Sequence, residues 1–194
     1  PPLTHAYYEV PLSPDHLKAH TPPQKDSLAQ FDGETITALN AAVLSNKLLQ
    51  VASGTIYTDD GAIVELDGTP RLKLLPEIID AAKAAAREEL GDKETLSGKT
   101  IIFAPFKHTV QMIVTYLKEK GYSVAVVDGD ASATRRTEIF QSFQNTNDLD
   151  AIIAVPSAMS HGVTATAASV ITWYSPCASA EVYQQACNRI DRPG

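Results

Sequence analysis

From residue 100 onward, short apolar runs alternate with amphipathic stretches, and few folds accept that pattern. Thr100–Ala104, Ser123–Val127, Ala151–Val155 and Ser169–Tyr174 read as strands. Each is too short for a buried helix and rich in Val and Ile. Between the first two, Val110, Ile113, Val114 and Leu117 recur at helical spacing, so a helix is expected over Thr109–Lys120, ended by Gly121. A second helix is expected over Ala133–Phe143, with Ile139, Phe140 and Phe143 inward, and a closing one over Ala180–Ile190. Strands joined in turn by helices through short connections predict a parallel sheet covered on both faces. Ligands of such sheets bind outside the carboxyl ends of the strands.

Residues 1–99 follow another plan. Ala6–Val10 reads as a strand ended by Pro11 and Pro14. The polar stretch His20–Asp32, with Pro22-Pro23, is expected to wrap the surface. A helix is expected over Thr35–Ala52, with Leu39, Val43, Leu44 and Leu48 on one side. Asp60-Gly61 separates two short apolar stretches and predicts a small hairpin within 54–68. The clearest helix is Leu72–Leu90, striped by Leu72, Leu75, Ile78, Ile79 and Ala82 and ended by Gly91. Net charge is −7, and it is uneven: residues 1–99 hold 9 Lys/Arg and 15 Asp/Glu, whereas 100–194 hold 7 and 8. A strong basic footprint for nucleic acid is therefore absent, and any such binding is expected to be weak and salt-sensitive. Two cysteines are too few for a disulfide framework, and the five histidines show no metal-ligand spacing with them. The sparse cysteines fit a cytosolic, reducing setting, and because no apolar run reaches membrane-spanning length no membrane partner is expected.

The string Gln185-Ala-Cys-Asn-Arg189-Ile-Asp-Arg192-Pro-Gly194 carries the chemistry. Spacings of four and three put Gln185, Arg189 and Arg192 on one helix face. Pro193 biases Arg192 out of helical geometry, to the helix end. Two guanidiniums and an amide aimed one way suit phosphate oxygens on which charge builds. The plain alternative is a solvated face that happens to carry two arginines.

This string resembles motif VI of the SWI/SNF-type superfamily-two helicase-like ATPases, with every fixed position matched. The resemblance extends over nearly the whole chain, to the second RecA-like lobe of those enzymes. It implies a RecA-like parallel sheet, preceded by a helical N-terminal extension. Residues 1–99 would form a lead-in packed on a lobe at 100–194 that stops at the end of motif VI. Because the chain starts at Pro1 and stops inside a motif, an excised piece is expected. In the family, the second arginine is the finger touching the γ-phosphate of ATP held by the other lobe. That residue is Arg192 here, with Arg189 and Gln185 as motif partners.

Ile101–Ala104 with Pro105-Phe-Lys-His-Thr109 resembles motif IV. Lys107 and Thr109 would touch a DNA backbone phosphate beside free N–H groups at a helix start. Asp128-Gly129, Arg136 and Phe143 resemble a further family string, in which Arg136 is expected to pin the loop. Val155–Thr166 stands where motif V belongs. Ser157, Thr164 and Thr166 are candidate nucleic-acid contacts, and Gly162 allows close nucleotide approach. Pro156, Met159-Ser160 and Thr164 depart from the usual motif, and the His161-Gly-Val-Thr string is closest to phage and bacterial versions. His161 is expected to be a hydrogen-bonded fixture rather than a base.

No phosphate loop and no Asp-Glu pair after an apolar strand occur in the chain. The resemblance thus implies ATP and Mg²⁺ in an intact two-lobe protein, with none bound by this fragment alone. The expected partners are the missing N-terminal lobe and duplex DNA. Two other functions fit the residues less well: a free-standing α/β enzyme for a nucleotide or phosphometabolite, and a degenerate scaffold lobe.

Overall fold

The computed structural model describes residues 4–19, 38–58, 61–90, 96–159, 165–177 and 179–187. In chain order these form α1 (14–19), α2 (Ala38–Ser53), β1 (Thr55–Tyr57), β2 (Ile63–Glu65), α3 (Thr69–Leu72), α4 (Leu74–Leu90) and β3 (Lys99–Phe103). There follow α5 (Lys107–Glu119), β4 (Val124–Val127), α6 (Ala133–Asn145), β5 (Ala151–Ala154), a 3₁₀ turn at Pro156–Met159, β6 (Ala168–Trp173) and α7 (Ala180–Cys187).

Four strands make a parallel sheet in the order β4-β5-β3-β6. Side chains alternate across it, as the strand period requires. Ile101, Phe103, Ile152 and Ala154 meet Ile139, Phe140 and Phe143 of α6 and Ala186 of α7. Ile102, Ala104, Ala151 and Ile153 meet Leu75 and Ile79 of α4 and the expected stripe of α5. Both faces are covered, so every residue of β3 and β5 is buried. This is the RecA-like α/β architecture that was expected, preceded by a helical part.

Three local expectations need correction. Residues 6–10 form no strand: Tyr7 is 91% exposed, and no strand pairs with this stretch among the described residues. The next residues instead start α1, because Ser13 accepts a hydrogen bond from the His16 N–H at 3.3 Å and Pro14 follows it directly. The helix expected over 72–90 starts two residues later, as α4, while Leu72 closes the short α3 before it. Pro76 falls in the first turn of α4, where its missing N–H costs no hydrogen bond within the helix. Val43 of α2 is 55% exposed rather than inward.

The hairpin exists as β1 paired antiparallel with β2, Ile56 opposite Val64. Gly61 has φ of +84°, a left-handed turn conformation. The 20–32 stretch, Asp60 and Gly91 lie outside the described residues.

Candidate phosphate-facing edge

The carboxyl edge of the sheet gathers the ends of β3, β4, β5 and β6. After β3, the chain turns at Phe106 into α5. Phe106 is extended, with φ −119° and ψ 140°, and gives this helix no side-chain cap. The N–H groups of the first helical turn are thus left to other partners, the arrangement that attracts anions. Lys107 stands in this turn with its side chain 54% exposed. Its ammonium pairs with the Asp130 carboxylate, from the loop after β4. That hydrogen bond holds the Lys107 pKa above its ordinary value.

Sequence reasoning missed Asp130. The loop that presents it is tightly specified. Asp128 Oδ1 accepts from the N–H groups of Asp130 and Ala131 at 3.1 and 3.2 Å. Arg136 reaches back from α6 and donates to the carbonyls of Ala131 at 3.0 Å and Asp128 at 3.3 Å. Arg136 therefore pins the loop. Asp128-Gly129-Asp130 signals the turn itself, which one carboxylate closes, but nothing local in it encodes the partner of the other.

Thr109 is one of two site expectations to correct. It is fully buried, and its hydroxyl shares a 3.0 Å hydrogen bond with the Thr55 hydroxyl and donates to the Ser53 carbonyl at 3.2 Å. Three residues into the helix, its side chain falls on the core side, so it fastens α5 to the lead-in hairpin. Tyr57 of that hairpin packs on Phe106 and His108, with centroids 5.9 and 5.8 Å away.

Thr166 is the other. It comes two residues before β6, and β6 runs parallel to β3 from the register pair Lys99 and Ala168. Thr166 therefore lies at the amino edge, opposite Lys107. Gln144 donates to its hydroxyl and accepts from the Ala167 N–H at 3.0 Å.

Ser157 sits on the 3₁₀ turn beyond β5, at the carboxyl edge, with its residue exposed. The turn's Met159 shares a core with Ala186, which seats α7 beside it. Ser179 starts α7 by accepting from the Val182 N–H at 3.3 Å. Trp173 links the helix to the sheet, 4.7 Å from the Phe103 ring and 4.9 Å from that of Tyr183. Gln185 lies on the exposed side of α7 and donates to Glu181 Oε1 at 3.0 Å. Gly162, His161, Thr164, Arg189 and Arg192 lie outside the described residues. Among the described residues, no His, Cys, Asp and Glu group could hold a metal ion, and no helix is long and apolar enough to cross a membrane.

Residues 81–194 match the helicase conserved C-terminal domain. The chain belongs to that family. Over 104 residues it is 28% identical to a putative SWI/SNF-related matrix-associated actin-dependent regulator of chromatin, subfamily A member 3-like 1, of Arabidopsis thaliana. That match takes in 53% of this chain and 12% of the relative's length. The fold is similar to the Sulfolobus solfataricus SWI2/SNF2 ATPase C-terminal domain, with TM-score 0.63 and 19% identity, covering 84% of this chain and 68% of that one. The Sulfolobus solfataricus SWI2/SNF2 ATPase core in complex with dsDNA gives TM-score 0.63 at 19% identity, covering 85% of this chain and 33% of that one. The helicase C-terminal lobe expected from the sequence is thus the family found.

Proposed function

We propose that this helicase C-terminal domain is the second motor lobe of a SNF2-type, DNA-dependent ATPase. The observation that supports it most is the family match over 81–194, a span that holds both the uncapped α5 edge and the motif VI string. In this reading a separate lobe of the same protein carries ATP and Mg²⁺, and ATP supplies the transferable phosphoryl group. Arg192 and Arg189 face that phosphate from across the cleft and offset its growing charge. Gln185 exchanges its bond to Glu181 for a phosphate oxygen. Lys107, Ser157 and the free N–H groups of α5 hold the duplex DNA backbone, with Gly162 and Thr164 completing the motif V contact. A phage or bacterial source rests on the His161-Gly-Val-Thr string, and a cytoplasmic setting follows from that reading.

The test is Arg192→Ala in the two-lobe protein. An arginine finger contributes about 10³–10⁵ in rate in phosphoryl transfer. DNA-stimulated ATP hydrolysis is expected to fall to near background while ATP binding persists. Hydrolysis at the parental rate removes the finger assignment.

A further inference from the structure

The Lys107–Asp130 pair has a geometry that an ordinary surface ion pair lacks. Lys107 follows β3 and Asp130 follows β4, and these strands are not neighbours. Strand β5 lies between them. Two strand spacings amount to about 10 Å, so the pair reaches across the carboxyl end of β5. That is where the chain leaves for Ser157. The acidic side is held in place by Asp128 and Arg136, as described above. The basic side sits in the uncapped first turn of α5. Both groups are open to water, with side chains 54% and 75% exposed, so an incoming anion can reach the ammonium.

We infer that Asp130 is a built-in stand-in for a DNA phosphate, occupying Lys107 across the end of β5 until the duplex backbone displaces it. This inference rests on the proposed role of Lys107 in the DNA grip. Asp130 thereby sets how tightly, and at what salt, the lobe closes on DNA. With no DNA, the carboxylate satisfies the lysine and holds two non-adjacent loops together. With DNA, a phosphate takes the lysine and the two loops part. Because salt screens the internal pair as it screens the phosphate contact, the competition blunts the salt dependence of binding.

The test measures binding of a short fluorescein-labelled DNA duplex to the chain by anisotropy, from low to physiological salt. Four variants are compared: Asp130→Asn, Lys107→Ala, the double variant, and Glu119→Gln. Glu119 is exposed at the far end of α5, so its change matches the charge step without touching the pair. Asp130→Asn is expected to bind about two- to fivefold tighter at low salt, the range of an exposed ion pair, with a steeper salt slope. The gain must vanish in the double variant and exceed that of Glu119→Gln. Three results overturn the inference while the lysine's DNA role stands: no gain, a gain no larger than the control's, or a gain that survives without Lys107. If Lys107→Ala alone costs no affinity, the parent reading of that lysine fails, and the stand-in fails with it.

Discussion

A threonine at the start of α5 shows how one residue can change meaning between sequence and structure. Thr109 stands two residues from Lys107, in a stretch expected from the sequence to meet a DNA phosphate, yet its hydroxyl is spent on Thr55 and Ser53 inside the protein. Thr109→Val keeps the shape and strands the partners. The expected loss is about 1–3 kcal/mol of stability, read from urea unfolding, with DNA affinity unchanged. A loss of affinity with unchanged stability would return Thr109 to the phosphate contact. What the sequence made legible here was residue type and spacing. Which way each hydroxyl turns depends on the hairpin packed against α5, and no spacing within 105–109 encodes that. Arg136 was legible, because a long donor shortly after an Asp-Gly turn has carbonyls within reach. Asp130 was not, because its partner lies 23 positions earlier in the chain.

At the scale of elements, the sheet was readable because both of its faces are covered. Strand β5 is then apolar throughout and β3 is apolar from Ile101 onward, and such runs stand out. The helix starts were harder: α4 begins two residues later than its apolar stripe, and Ser13-Pro14 starts a helix where a strand was expected to stop. The junction of α4 and β3 rests on close approach at Gly98, whose φ is +83°. A Cβ there would stand 2.7 Å from Ala86 Cβ and 3.0 Å from the Ala82 carbonyl oxygen. Gly121 has nearly the same backbone, φ +87°, but open space around it. Gly121→Ala should therefore cost only the left-handed backbone term, about 1–2 kcal/mol. Gly98→Ala adds a clash with α4 worth roughly a further 1–3 kcal/mol. Equal losses in chemical unfolding would show that α4 is free to shift away from the sheet.

Across the whole molecule, elements that precede β3 meet the parallel sheet and α5 in a polar seam over a shared core. Leu75 and Ile79 pack with Ile102 and Ile153, so one face of the sheet is completed by residues that precede it. Above that core, Arg71 lies 5.0 Å from the Tyr174 ring centre and donates to the Ala52 carbonyl. Burial pushes the Tyr174 hydroxyl up to about 12. His16 is buried in the same seam, with its Nδ1 2.7 Å from the Ser13 hydroxyl. Desolvation, then the charge of Arg71, holds its pKa below 6.5, against the opposing pull of Asp67 and Asp15. A histidine shifted this way favours folding while neutral. Its contribution is complete above its unfolded value of 6.5 and is lost as pH falls below it. The urea midpoint should drop between about pH 7.5 and about pH 5.5, and His16→Gln should flatten that drop. An unchanged slope in the variant would mean that other groups govern the seam.

Trp173 is the one tryptophan of the chain, and it lies between a core ring, Phe103, and the Tyr183 ring carried by α7. The protein therefore contains its own optical gauge. Light emitted by a lone indole wedged between the fixed sheet and this helix reports any tilt of the segment that leads to the two C-terminal arginines, with no label attached.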